Sequence, residues 1–90
     1  MRLKDPDLIE LTKWFEDVLS RAPKLERKEK MKIRKKIRDE IFLLLAWEQP
    51  TPDVILNRWE ERLSDFFRAV PYGVKDELLR LLKSKMLRLK

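Results

Sequence analysis

Five prolines, at positions 6, 23, 50, 52 and 71, bound every stretch of regular structure that this 90-residue chain can form. Proline lacks a backbone N–H and disfavours the α conformation in the residue before it, so helices open on prolines and stop ahead of them. Between these points apolar residues recur at spacings of three and four, and no stretch alternates at period two over strand length. The spacing predicts four helices, over about 6–22, 25–48, 52–70 and 74–89.

Each helix carries its own start signal and apolar stripe. Asp5-Pro6-Asp7 offers a capping acceptor, a proline for the first helical position and an acid for the first turn. Leu8, Leu11, Phe15, Val18, Leu19 and Ala22 then share one face. Thr51-Pro52-Asp53 repeats the start signal after the stiff connector Gln49-Pro50-Thr51-Pro52. In the third helix Ile55, Leu56, Trp59, Leu63, Phe66, Phe67 and Val70 fall within an arc of about 120°. Val70-Pro71-Tyr72-Gly73 forms the last turn, and Leu78, Leu81, Leu82, Met86 and Leu89 line the fourth helix. The expected fold is all-α: residues 1–90 as a single domain, a small four-helix bundle made of two antiparallel helical hairpins, because short connections favour antiparallel neighbours. Asp5-Pro6-Asp7-Leu8-Ile9, Trp14 and Pro23 are loosely echoed by Thr51-Pro52-Asp53-Val54-Ile55, Trp59 and Pro71, with a register slip of one residue before the tryptophan and a further slip, of three, before the closing proline. Shared capping chemistry produces such an echo as readily as duplication does.

Composition narrows the function classes. The chain has no cysteine and no histidine, which removes disulfides, thiol chemistry, Cys/His metal sites and any imidazole base. No Gly-rich loop is present to cradle a nucleotide, since the chain has one glycine. The paired acids Glu16-Asp17, Asp39-Glu40, Glu60-Glu61 and Asp76-Glu77 diverge by about 100° on a helix and do not converge on one site. They read instead as surface ion-pair partners, for example Arg62 with Asp65 or Lys13 with Asp17. The expectation is a protein that is not an enzyme and holds no cofactor and no metal. Charged residues make up 42% of the chain, with one Asn and one Gln, a composition that resembles hyperthermophile proteins. The longest apolar run, Ile41 to Trp47, is too short to span a bilayer, and no signal-peptide run follows Met1 to Asp7. The chain reads as cytoplasmic, with no membrane partner.

The net charge of +6 is concentrated. Residues 24–38 hold nine basic side chains against Glu26 and Glu29. At 100° per residue Arg27, Lys28, Arg34, Lys35 and Arg38 form one stripe, away from the seam of Ile33, Ile37 and Leu44. A second basic patch gathers Arg80, Lys83, Lys85, Arg88 and Lys90, part of which the helix dipole itself favours. Such a stripe suits backbone binding to nucleic acid, DNA or RNA, without strong sequence preference. The expected contacts are Arg27, Lys28, Arg34, Lys35 and Arg38, with Lys83, Lys85 and Arg88 as a second footprint. A helix-turn-helix around Ala69 and Gly73 fits in spacing, but Pro71 interrupts its turn and Asp76 and Glu77 would face phosphates. Phe15, Trp59, Phe66 and Phe67 lie on core faces, which leaves Trp14 and Tyr72 as candidate surface aromatics.

The alternative is a module for protein association or homo-oligomeric assembly with a solvated basic face. Ile9, Phe42, Leu43, Leu45, Val54 and Leu87 lie outside or at the edge of the main apolar arcs, and Phe42 and Leu45 fall on the side of the basic stripe. Exposed, they make a partner interface. Buried in a central second helix, they are core.

Overall fold

A computed structural model describes residues 5–47 and 51–87, the side chain of Leu87 excepted. Of these residues 84% are helical and none lies in a strand. The described elements are α1 (Asp5–Ser20), α2 (Arg27–Ala46), α3 (Pro52–Arg62), α4 (Ser64–Ala69) and α5 (Val74–Leu87). α1 packs along α2, while α3 packs against α5 and α4.

The start signal of α3 acts as its chemistry requires, whereas α1 already includes Asp5, the expected capping residue, as its first residue. Thr51 Oγ1 accepts the Val54 N–H at 3.3 Å with Pro52 at the head of α3. α1 opens with Asp5 and Asp7 in its first turn. It stops at Ser20, two residues short of the expected end, where the Arg21 and Ala22 N–H groups donate back to the carbonyls of Val18 and Leu19 ahead of Pro23. α2 spans Arg27–Ala46 and not 25–48, with Glu26 and Trp47 extended on either side. The Gln49-Pro50 connector, Leu89 and Lys90 lie outside the described residues.

The expected third helix over 52–70 is two elements. Leu63 leaves helical geometry at φ −113° and ψ 34°, and its N–H closes tightly on the Trp59 carbonyl at 2.6 Å. Ser64 and Asp65, residue types that favour helix openings, follow at once. Asp65 then sits in the first turn of α4 with its carboxylate 3.3 Å from Lys36 of α2.

Every α1 stripe residue, Leu8, Leu11, Phe15, Val18, Leu19 and Ala22, is buried. They meet Ile33, Ile37, Ile41 and Leu44 of α2, Ile55, Leu56 and Trp59 of α3, then Leu63, Phe66, Leu78 and Leu82. Phe15 is central to the aromatic packing, with Trp59 at 5.3 Å and Phe66 at 5.2 Å between ring centroids, both edge-on. Each fully buried ring contributes about 2 kcal/mol of transfer free energy, with about 1 kcal/mol more for each well-formed edge contact. The Trp59 indole N–H is buried with no acceptor among the described residues.

Polar contacts link the helices around this core. Arg58 of α3 donates through Nε to Glu40 of α2 at 2.7 Å, and its terminal amine reaches the second carboxylate oxygen at 3.4 Å. That hydrogen bond is the leading cause raising the arginine pKa above its ordinary value, against partial desolvation and with help from the charges of Glu40 and Glu61. Trp14 Nε1 donates to Glu77 Oε1 at 2.9 Å, joining α1 to α5. The two expected surface pairs are replaced by others: Asp17 pairs with Arg21 at 2.7 Å and Asp65 with Lys36, because these cations lie nearer than Lys13 and Arg62.

Candidate functional site

The basic stripe of α2 divides into two groups. Arg27, Lys28 and Lys35 are exposed and carry no ion pair among the described residues. Arg34 and Arg38 turn toward α1, where both share one carboxylate oxygen of Glu16, at 3.6 Å and 3.7 Å. At 3.6 Å the Arg34 contact is Coulombic, and Arg34 Nε makes no hydrogen bond. One acid between two guanidiniums leaves this part of the stripe positive, with both anion forks engaged in part by Glu16 and the Arg38 side chain still 66% exposed. Sequence reasoning missed Glu16 because it lies on another helix.

The positive face widens in a direction the stripe does not predict. Across the first half of α2 an open groove of about 460 Å³ has Lys24, Lys32 and Lys36 on one side and Arg68 of α4 on the other. Its floor is Leu25, Ile33 and Ala69, and Glu29 and Asp65 are its acids. Lys28 and Lys35 are two turns apart, about 10 Å along the axis. Cations therefore reach solvent on both sides of α2, and Arg68, on α4 after the break at Leu63, joins them.

In the second basic footprint Lys85 is not at the surface. Lys83 is exposed, Arg88 lies outside the described residues, and Lys85 is 1% exposed. Lys85 Nζ lies 3.7 Å from Asp7 Oδ1 and is hydrogen-bonded to Glu10. Lys85 is thus a buried cation linking α5 to the first turns of α1, and it has no surface from which to touch a phosphate. At 100° per residue Lys85 falls between Leu81 and Leu78, inside the apolar arc of its own helix, a signal that its charge masked; the acids that hold it are in the first helix.

The apolar end of α2 is only partly core. Ile41 and Leu44 are buried, whereas Phe42 is 72% exposed and Leu43 and Ala46 face solvent. Leu45 is half-buried. Phe42 and Leu45 form one wall of an open groove of about 650 Å³ whose other wall is Leu8, Ile9 and Thr12 of α1. Asp5, Lys13, Glu16 and Arg38 rim it. Ile9 and Val54 are exposed, and the side chain of Leu87 is outside the described residues.

Of the aromatics, Phe15, Trp59 and Phe66 are fully buried and Phe67 is half-buried. Trp14 is half-buried and tied to Glu77, so Tyr72, in the turn before α5, is the freely exposed ring of the pair singled out. Asp76 and Glu77 occupy the first turn of α5, the end that a reading helix would direct at DNA. No group of three acids is positioned to hold a metal ion among the described residues, and no helix there is long and apolar enough to cross a membrane. Compared with protein-family models, with curated proteins and with solved structures, the chain matches none.

Proposed function

We propose that this protein binds nucleic-acid backbone without strong sequence preference through α2, as a non-enzymatic cytoplasmic accessory protein, a small subunit of a ribonucleoprotein or DNA-processing complex. The five helices act in this reading as two hairpins, α1 with α2 and α3–α4 with α5. The observation that carries it is the group Arg27, Lys28 and Lys35, exposed along one helix and unmatched by acids among the described residues, beside the groove that adds Lys24, Lys32 and Arg68. Cations in this arrangement displace the counterions condensed on a polyanion, whose release drives binding.

Fluorescence anisotropy of labelled duplex DNA, single-stranded DNA and structured RNA, between about 50 and 200 mM salt, tests it. Three phosphate contacts give a log–log slope of about −2.7 on duplex DNA, so affinity falls about fortyfold over that range. Absence of binding at low salt sinks the proposal.

A second reading, association with protein, is favoured by one specific observation: Phe42, a large apolar ring, is mostly in water beside a groove that it helps to form. Its test is Phe42→Lys, which removes association and leaves the fold intact because the ring is not core.

A further inference from the structure

The groove between α1 and α2 carries a pattern that specifies an occupant. Ile9 is 56% exposed at its edge. Asp5 lies four residues before Ile9 and Lys13 four residues after it, each about 6 Å along the helix. Both are exposed, both rim the groove, and neither has an ion pair among the described residues. The remaining rim charges, Glu16 and Arg38, face each other at 3.7 Å. The groove therefore offers an approaching surface one unmatched acid and one unmatched base, equally spaced about an exposed apolar residue.

An acidic helix laid here would meet Lys13 and be repelled by Asp5; a basic helix would meet the reverse. A surface that satisfies both must carry a base and an acid at the same separation and in the opposite order. α1 run antiparallel to itself is such a surface. We propose that this face pairs with the same face of a second copy about a two-fold axis near Ile9, so that Asp5 of each copy lies opposite Lys13 of the other and the two Phe42 rings are covered. The contact is isologous and closed, which limits the assembly to a dimer.

The size is adequate. A standard interface buries about 800 Å² per partner, roughly an eighth of this chain's 6359 Å². The face runs along two helices of 16 and 20 residues and presents Ile9 and Phe42 at its centre. Of the unpaired cations, Arg27 and Lys28 sit at the other end of α2, and Lys35 is two turns from Phe42, about 10 Å along the axis. This inference rests on the association reading and commits it to one partner.

Sedimentation velocity over a wide concentration range, at low and moderate salt, reads the result as mass: 11.0 kDa for one chain against about 22 kDa for two. The wild type is expected to dimerise, and Asp5→Lys and Lys13→Asp each to weaken the dimer at least tenfold. Asp5→Lys combined with Lys13→Asp restores it, because the exchange preserves every opposition across the axis. An equal mixture of the two single variants also dimerises, since one then carries two bases where the other carries two acids. Circular dichroism establishes that each variant is helical. A wild type that stays monomeric at every concentration overturns self-pairing. A dimer that Phe42→Lys abolishes but both charge reversals leave alone overturns the two-fold register, while the groove stands as the interface.

Discussion

Lys85 Nζ lies 3.7 Å from Asp7 Oδ1, a cation from the last helix buried against the first turn of the first. Helix α5 is thereby tied to α1 through an ion pair, while its Leu78 and Leu82 lie in the common core. Trp14 and Glu77 form a second polar link between the same two helices.

The Lys85 contact predicts a stability effect with no binding effect. Lys85→Ala removes a buried stem and its charge from beside Asp7, and is expected to destabilise the fold by about 3 kcal/mol in urea unfolding. Nucleic-acid affinity of the folded variant stays at the wild-type value. An equal loss of affinity in Lys85→Ala and in Lys83→Ala would contradict the assignment of Lys85 to the interior.

Lys28→Glu combined with Lys35→Glu is expected to lower affinity for all three nucleic acids more than tenfold at low salt and to reduce the magnitude of the salt slope by about 2. Both side chains are exposed, so thermal stability changes little. The salt titration, repeated on this variant, checks both numbers. A slope identical to the wild type would place the contacts elsewhere.

Glu16 predicts the opposite sign. It competes with any phosphate for Arg34 and Arg38, so Glu16→Gln is expected to raise affinity about two- to fivefold at low salt and to steepen the slope. The pair is half-exposed, and its loss costs under about 1 kcal/mol. Unchanged binding in Glu16→Gln would remove Arg34 and Arg38 from the interface.

Arg58→Ala leaves Glu40, whose side chain is 11% exposed, without its partner, and is expected to destabilise the protein by about 2 kcal/mol. Glu40→Gln with Arg58→Met recovers much of this, because no buried charge then stands alone. The raised arginine pKa places this contribution fully in force below the ordinary arginine value and removes it only as pH rises through the folded value. Stability from Arg58 is therefore constant through the neutral range, which denaturation curves across that range will check.

Prolines and helical spacing were enough to show an all-α chain and to pick most of the buried apolar faces, but not the break at Leu63. Leu11, Phe15, Leu44, Ile55 and Trp59 are buried as their wheels require, and Thr51 caps α3 as its position before Pro52 predicts. These features depend on neighbours within about one turn, where backbone geometry alone determines who meets whom. Other features were decided between helices. Arg68 of α4 joins Lys24, Lys32 and Lys36 at the basic groove; Glu16 pairs both Arg34 and Arg38 with α1; Asp7 and Glu10 supply the acids that hold the charge of Lys85; and among the described residues no element packs over Phe42. A helical wheel gives the angle between two side chains on one axis and says nothing of what lies across from them. Charge and apolarity acquire their roles here from the facing helix, and only the tertiary structure supplies it.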